Sequence, residues 1–355
     1  MSKHYDITID YLDDLVNMLL PYRDDMTVKK DLYNLDVLRH RLANNFKSPD
    51  IDSINSLEQL NDDIGYYDFY KIFYPFVKKF SETGLYMPNA AVVSYNKTIF
   101  SNDRTIKMVQ RFFEEQGLFF ADPVLDFFKT GANHIKFIQP SINTEGEMYY
   151  LSSLDEHFII TPNHPNFTKL TNASHETEHV IDTVRNESFY QNVVIREAPP
   201  MFMEMISSDF YAKQLRLTDA NYMRRFYIHS LVKANSYNIF YKNQLLYLIH
   251  QHSNLSEKEL LLLLFKKYKF DSRRIDYLAE YSITEDYYYQ ISYLIAVELY
   301  MIYQTNKERA LAILQEIILT GTDDNILSLL EKHGIILNNS IVQYENDLCL
   351  KLGIE

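Results

Sequence analysis

The chain is poor in the residues that form disulfides and tight turns. Its 355 residues include one cysteine, no tryptophan, eight glycines and ten prolines. The single cysteine, Cys349, excludes an internal disulfide, and we interpret it as a small buried residue of the last helix. Because all-β folds need many glycines and prolines in their turns, the shortage of both favours a mainly helical fold.

Long apolar runs and clusters of positive charge are also missing. The longest apolar run, from Leu260 to Phe265, is far too short to cross a bilayer. The N-terminal segment has no basic stretch followed by an apolar one, so no secretory signal is predicted. A net charge of −13 without a basic stripe argues against nucleic acid as a partner. We therefore expect a cytoplasmic protein with neither a membrane nor a nucleic-acid partner; its oligomeric state is left open.

Apolar residues make up 46% of the chain and recur largely at helical spacing. One such stripe consists of Leu32, Leu35, Leu38 and Leu42. A further helix is predicted from Asn102 to Gln116, and Asp122-Pro123 is predicted to start another. In the C-terminal part the pattern predicts helices over residues 219–250, 256–268, 284–305, 306–319, 323–333 and 339–352.

The segment 65–81 is dense in aromatic residues and is interrupted by Pro75. An aromatic stripe at this spacing is typical of a hydrophobic core, which is the interpretation we favour. The alternative is that these rings line a groove.

Between residues 134 and 161 the period of the sequence changes. Three short segments rich in β-branched and aromatic residues, 134–139, 147–151 and 157–161, are separated by Pro, Ser, Asn and Gly. They predict a small antiparallel sheet. Two roles are open for it: a purely structural sheet, or an edge strand that pairs with an extended peptide.

The sheet leads into a pattern that is typical of zinc sites, His175-Glu176-Thr-Glu-His179. Thr171 or Asn172 is predicted as the N-cap of its helix. Residues four positions apart lie on the same face of a helix, so both imidazoles can reach one ion. Glu176 then faces the open side of that ion, where a general base acts on a bound water.

A catalytic zinc site needs a third protein ligand. Glu197 and Glu204 compete for this place. Pro199 and Pro200 are tolerated in the first turn of a helix, so a helix is predicted to begin near Ala198, with Glu197 at its entrance and Glu204 inside it. We favour Glu204 because a rigid helix holds a ligand better.

Carboxylates commonly orient the imidazoles of such a site from the side away from the metal. The candidates for this role are Glu197, Asp182 and Asp209.

The run from Phe158 to His179 resembles the strand, loop and helix that enter the site of the M3 family of zinc metallopeptidases, and it is most similar to the oligoendopeptidase F branch. The segment from Glu197 to Glu204 resembles the family's next motif, and the spacing from His179 to Glu204 matches the distance to its third ligand. The resemblance implies a mainly α, gluzincin-type fold around a deep channel. It also implies one zinc ion per chain and short unstructured peptides as substrates.

A Tyr-rich helix faces the zinc in that family, and the segment around Tyr289 and Tyr293 resembles it. The resemblance implies that their hydroxyls stabilise the tetrahedral intermediate and that Tyr287 contacts the substrate. The family's His before these tyrosines is missing, since Ile283, Thr284 and Glu285 stand there. The resemblance covers residues 145–305, and family members have a longer segment before the zinc helix.

These patterns divide the chain into an N-terminal helical region, 1–130, and a catalytic region, 131–355, which we expect to form one compact unit around a cleft. The catalytic region would contain the sheet at 134–161, the zinc helices at 172–216 and the C-terminal helices. The leading hypothesis is a zinc-dependent endopeptidase. The alternatives are a peptide-binding or regulatory protein that keeps the fold without catalysis, and a helical scaffold in which the zinc pattern is a coincidence.

Overall fold

The fold was analysed in a computed structural model. The structure describes residues 7–43, 100–129, 134–139, 146–163, 168–186, 196–215, 283–320 and 326–335, together with residues 259, 262, 263 and 266. The aromatic segment 65–81, the predicted helices at 219–250 and 339–352, most of the helix at 256–268, and Cys349 lie outside these residues.

The described chain opens with two packed helices, α1 (Ile9–Leu19) and α2 (Met26–Ala43), joined by a short 3-10 turn. The hydroxyl of Thr8 caps α1 by accepting a hydrogen bond from the backbone N–H of Tyr11 at 3.2 Å. The apolar stripe of α1 is buried against α2, which confirms the helical spacing of leucines in this region.

The next two helices are α3 (Asn102–Glu114) and α4 (Leu118–Lys129). The prediction of a helix from residue 102 is confirmed, whereas α4 begins before the predicted start and runs through Pro123. Proline lacks the N–H that would bond to the carbonyl of Phe119 one turn earlier. That carbonyl instead accepts hydrogen bonds from Nε and Nη2 of Arg185, at 2.9 and 2.6 Å. The helix continues because another element satisfies the freed carbonyl.

Three strands form a small sheet: β1 (Ile135–Ile138), β2 (Glu147–Leu151) and β3 (Glu156–Pro162). The order is β1-β3-β2, with β2 antiparallel and β1 parallel to β3. The strands occur where the sequence predicts them, but the all-antiparallel arrangement was wrong. The short turn after β2 makes β2 and β3 a hairpin, so β1 pairs with the other edge of β3 and runs parallel to it.

The sheet separates two hydrophobic clusters because successive side chains of a strand point to opposite faces. Tyr149 and Phe158 face the cluster formed by α1 and α2. Met148 and Ile159 face the larger core built by the remaining helices.

Two long helices follow the sheet, α5 (Thr168–Arg185) and α6 (Ala198–Gln214). The first begins before the predicted cap at Thr171 or Asn172, and its first turn is anchored by Lys169. The buried ammonium of Lys169 donates hydrogen bonds to the carbonyl of Phe100 at 2.9 Å and to Asn102 Oδ1 at 2.7 Å. The second begins at Ala198 as predicted.

The C-terminal part contains α7 (Ile283–Thr305), α8 (Lys307–Thr320) and α9 (Ile326–Lys332). These helices confirm the predictions for 284–305, 306–319 and 323–333. The buried residues of α7 and α8 belong to the same core as those of α5 and α6. In the part of the chain that the structure describes, no helix is both long enough and apolar enough to cross a membrane.

A single side chain, Asp31, joins α2 to the turn between β2 and β3. Its carboxylate is fully buried and accepts hydrogen bonds from the backbone N–H groups of Ser152 (3.3 Å) and Ser153 (2.8 Å), and from the hydroxyl of Ser153. Because charged acceptors make strong hydrogen bonds, this carboxylate fixes the turn against the helix pair.

We expect Asp31→Ala to lower the free energy of unfolding by about 2–3 kcal/mol, because the turn loses hydrogen bonds to a buried charged acceptor. Urea denaturation measures this change. The matched control is Asp36→Ala, which removes an exposed carboxylate from the same helix and should change stability by less than about 0.5 kcal/mol. Equal losses in the two variants would show that Asp31 does not hold the turn.

Candidate metal centre

The two histidines of the zinc pattern lie in the middle of α5. The rings of His175 and His179 stand edge to face with centroids 5.4 Å apart, as expected for positions one turn apart on one helix face. Both side chains point toward the N-terminal half of α6, where they meet Glu197 and Glu204.

Glu197 lies between the two imidazoles. Its Oε2 is 3.3 Å from Nε2 of His175 and 3.5 Å from Nε2 of His179. Its other oxygen, Oε1, accepts a hydrogen bond from Nε of Arg196 at 3.3 Å. Despite these short distances, Oε2 is buried and accepts no hydrogen bond of normal geometry. The contacts of Oε2 with the two nitrogens are therefore short without being hydrogen bonds.

These distances fit a metal ion. Two ligand atoms at the usual zinc distance and the tetrahedral angle are about 3.4 Å apart. The observed separations of 3.3 and 3.5 Å match this value. The nitrogen atoms of His175 and His179 and a carboxylate oxygen of Glu197 also form a compact group of potential ligands. Two histidines and one glutamate are a ligand set of catalytic zinc sites.

The other ring nitrogen of each histidine faces a different carboxylate. Nδ1 of His175 is 3.3 Å from Oε2 of Glu204, and Nδ1 of His179 is 3.7 Å from Oδ2 of Asp182. Carboxylates in these positions fix the orientation of imidazoles whose other nitrogen binds a metal. The geometry thus favours Glu197 as third ligand and Glu204 as an orienting group. The sequence favoured Glu204 as the ligand. Asp182 lies near His179 but makes no hydrogen bond to it, so its orienting role stays a prediction.

Acidic side chains are concentrated at this site. Five carboxyl groups are buried around the two imidazoles, and Arg196 contributes one guanidinium. The carboxyl groups are those of Glu176, Glu178, Asp182, Glu197 and Glu204. Because burying unpaired negative charge is costly, a divalent cation would stabilise this arrangement.

The pKa values of Glu197, His175 and His179 are shifted by burial and by the charges of neighbouring side chains. Burial raises the pKa of Glu197, but His179 and His175 outweigh it and hold that pKa well below its ordinary value. Burial lowers the pKa of His175, yet its contacts with Glu197 and Glu204 raise it well above the usual range. At His179 burial dominates and the pKa is lowered. These opposite shifts show that Glu197 interacts with both imidazoles.

Glu176, the predicted general base, lies beside this centre and is buried. Burial raises its pKa to about 8, assisted by the negative charges of Glu197, Glu147 and Glu204 and opposed by His175. A carboxylate with a pKa near neutrality is suited to take up and return a proton.

Glu178 is a site residue that sequence reasoning missed. Its carboxyl group and that of Asp182, one turn later on α5, are both buried, and burial raises the pKa of Glu178 to about 8 and that of Asp182 well above its ordinary value. The signal was present in the sequence, since two acidic residues four positions apart share a helix face.

The remaining predicted site residues lie on or against α7. The carboxylate of Asp209 accepts hydrogen bonds from the hydroxyl of Tyr300, at 3.1 and 3.2 Å, and from Gln304 at 3.1 Å, so it joins α6 to α7. Tyr293 is fully buried in the main core. Tyr287 and Tyr289 also lie on α7, but their side chains fall outside the described part of the structure.

The described chain is thus mainly helical, with a small mixed sheet beside a paired-helix site, and peptidases of known structure share this fold. A structure assigned as oligoendopeptidase F from Bacillus anthracis strain Ames superposes with a TM-score of 0.52 at 12% identity, over 90% of this chain and 62% of its own. PZ peptidase A with an inhibitor gives a TM-score of 0.54 at 13% identity, over 87% and 59%. A structure assigned as a peptidase from Chlamydophila abortus gives 0.57 at 13% identity, over 95% and 62%.

These comparisons confirm the oligoendopeptidase F resemblance at the level of the fold. The chain spans about three fifths of the length of these structures. No protein-family model matches the chain, and no curated protein matches its sequence.

The geometry predicts different losses of metal affinity at the two glutamates of α6. If Glu197 is a ligand, Glu197→Ala should abolish stoichiometric zinc binding. If Glu204 orients His175, Glu204→Ala should weaken binding about 10–100-fold without abolishing it. Zinc competition titration with a fluorescent chelator measures both values. The opposite ranking, with Glu204→Ala the more severe, would restore Glu204 as the ligand.

Proposed function

We propose that this chain is a zinc-dependent peptidase that hydrolyses short peptides. The observation that carries the proposal is the position of Glu197 Oε2, 3.3 and 3.5 Å from the Nε2 atoms of two histidines one turn apart. The oligoendopeptidase F fold supports the same class of activity. Glu176 is buried beside this centre and supplies the general base that hydrolysis needs.

In the proposed site His175, His179 and Glu197 hold the metal. Glu204 and Asp182 keep the two imidazoles oriented through their Nδ1 atoms. When bound, zinc supplies Lewis-acid polarisation of the peptide carbonyl and lowers the pKa of a coordinated water.

Glu176 acts as the general base of the proposed reaction. It takes a proton from the attacking water and delivers it to the nitrogen of the leaving amine, which would otherwise leave as an unstable anion. Its raised pKa, about 8 in the metal-free protein, favours holding the proton between the two transfers.

The proposed peptide-binding groups lie on β2 and α7. β2 is an edge strand of the described sheet and lies beside α5, so an extended peptide could pair with it through main-chain hydrogen bonds. Tyr289 or Tyr293 remains the predicted donor to the oxyanion, a contribution of about 3 kcal/mol per donor. Tyr287 remains a predicted substrate contact.

A second candidate function is peptide binding without turnover. The observation that favours it is the lack of a histidine before the tyrosines of α7, where Ile283, Thr284 and Glu285 stand. Such a protein would keep the metal centre, because the proposed metal ligands lie on α5 and at the start of α6 and none of them lies on α7. Stoichiometric zinc and measurable peptide binding, without any cleavage by the parent protein, would favour this function over the peptidase.

We expect Glu176→Gln to retain zinc and to lower kcat by at least about 10³-fold, because the amide keeps the shape of the side chain but cannot accept the water proton. Quenched fluorescent peptides measure cleavage, and elemental analysis measures zinc. The control, Glu114→Gln, makes the same chemical change at an exposed position of α3 and should leave both unchanged.

Removal of zinc with a chelator should abolish cleavage by the parent, and addition of zinc should restore it. Glu176→Gln cleaving a mixed peptide pool as fast as the parent would refute the assignment of the base.

A further inference from the structure

The backbone just before the start of β2 lies directly against the side chain of Glu176. The residue at this contact is Gly146, which precedes the strand. A Cβ atom on Gly146 would come within 2.7 Å of Cδ and 2.9 Å of Cγ of Glu176, and it would overlap one carboxylate oxygen. Because interiors are packed to van der Waals contact, atoms cannot share this space. The missing side chain of Gly146 makes room for the carboxylate of Glu176.

The backbone at this position does not itself require glycine. Gly117 (φ 100°) and Gly334 (φ 72°) have left-handed backbone conformations, whereas the φ of Gly146 lies outside that region. Glycine is also rare in this chain, and Gly146 is the single one between Gly131 and Gly321 in the sequence. The contact with Glu176 gives a reason for a glycine at this position.

Neither element at the contact is free to retreat. β2 pairs with β3 from Glu147 onward, and Met148 is buried in the main core. The helix that carries Glu176 is anchored at one end by Lys169 and at the other by Arg185. The far end of the Glu176 side chain is thus the group that would have to move if atoms were added at position 146.

We propose that Gly146 is a positioning residue, which sets where the carboxylate of Glu176 lies relative to the two imidazoles. This inference rests on the proposed function, since it concerns the base of that reaction. A methyl group at position 146 drives the carboxylate out of its place while leaving the metal ligands untouched. Misplacement of a catalytic group by about 1 Å lowers the rate on the order of 10²-fold.

Two glycine variants separate positioning from folding. Gly146→Ala should lower kcat about 100-fold with little change in KM, in zinc content or in Tm. Gly117→Ala is the matched control, because its Cβ would meet nothing within 4 Å but its backbone would be strained. It should lower Tm by a few degrees and leave kcat unchanged. If Gly146→Ala kept the parent's kcat, or lost Tm in step with kcat, the inference would be overturned.

A double-mutant cycle with Glu176→Asp tests whether Gly146 acts through Glu176. Aspartate is one methylene shorter, so its carboxylate avoids the added methyl group, and the loss in the double variant should be smaller than the product of the two single losses. Losses that multiply would show that Gly146 acts independently of Glu176.

A crystal structure of Gly146→Ala gives a readout that does not depend on activity. The carboxylate of Glu176 should be displaced from the position that it occupies in the parent; an unmoved carboxylate overturns the inference. A parent protein that binds zinc but cleaves no peptide would instead overturn the proposed function, so the two failures are distinguishable.

Discussion

The contact between Glu197 and the two imidazoles of α5 is the constraint on which the site depends. A carboxylate buried among other carboxyl groups is stable when positive charge lies next to it. Here that charge comes from the guanidinium of Arg196 and, in the proposed function, from a divalent ion. Two other acidic residues lie near the outer nitrogens of the same rings, Glu204 at 3.3 Å from His175 Nδ1 and Asp182 at 3.7 Å from His179 Nδ1.

The fold serves this contact by fixing the relative positions of α5 and α6. Pro199 and Pro200 allow α6 to begin directly after Glu197, which sets the height of the carboxylate along the helix pair. On the other side, the ammonium of Lys169 holds the start of α5 to the chain before α3, and Arg185 holds its end to the carbonyl that Pro123 leaves free in α4. These buried hydrogen bonds stabilise the helix ends, where intrahelical hydrogen bonding is incomplete.

The sequence predicted a site at His175 and His179 and favoured Glu204 over Glu197 as its third ligand, whereas the distances in the structure favour Glu197. Glu197 and Glu204 are seven residues apart, which is close to two helical turns, so both lie on the face of α6 that meets α5. Periodicity places both near the histidines and does not distinguish which carboxylate reaches Nε2 and which reaches Nδ1. That choice depends on how far α6 is shifted along α5, a property of packing between helices. The two arguments for Glu204 were the rigidity of its own helix and its spacing from His179 in the resembled family, and neither measures that shift.

The direction of β1 in the sheet is a second property that the local sequence does not determine. Alternation of apolar and polar residues has a period of two in parallel and antiparallel strands alike, so it predicts β1 without its direction. The contact of Gly146 with Glu176 likewise joins two elements that are 30 residues apart in the chain. The local sequence of neither segment predicts it.

The metal centre and the groups that would stabilise a transition state lie on different helices. The proposed ligands and orienting carboxylates belong to α5 and the start of α6, whereas the tyrosines belong to α7, which is joined to α6 through Asp209, Tyr300 and Gln304. In the proposed function, the residues of α7 can therefore differ while the ligands on α5 and α6 are kept. Bound zinc alone would accordingly support the assignment of α5 and α6, and turnover is the property that tests α7.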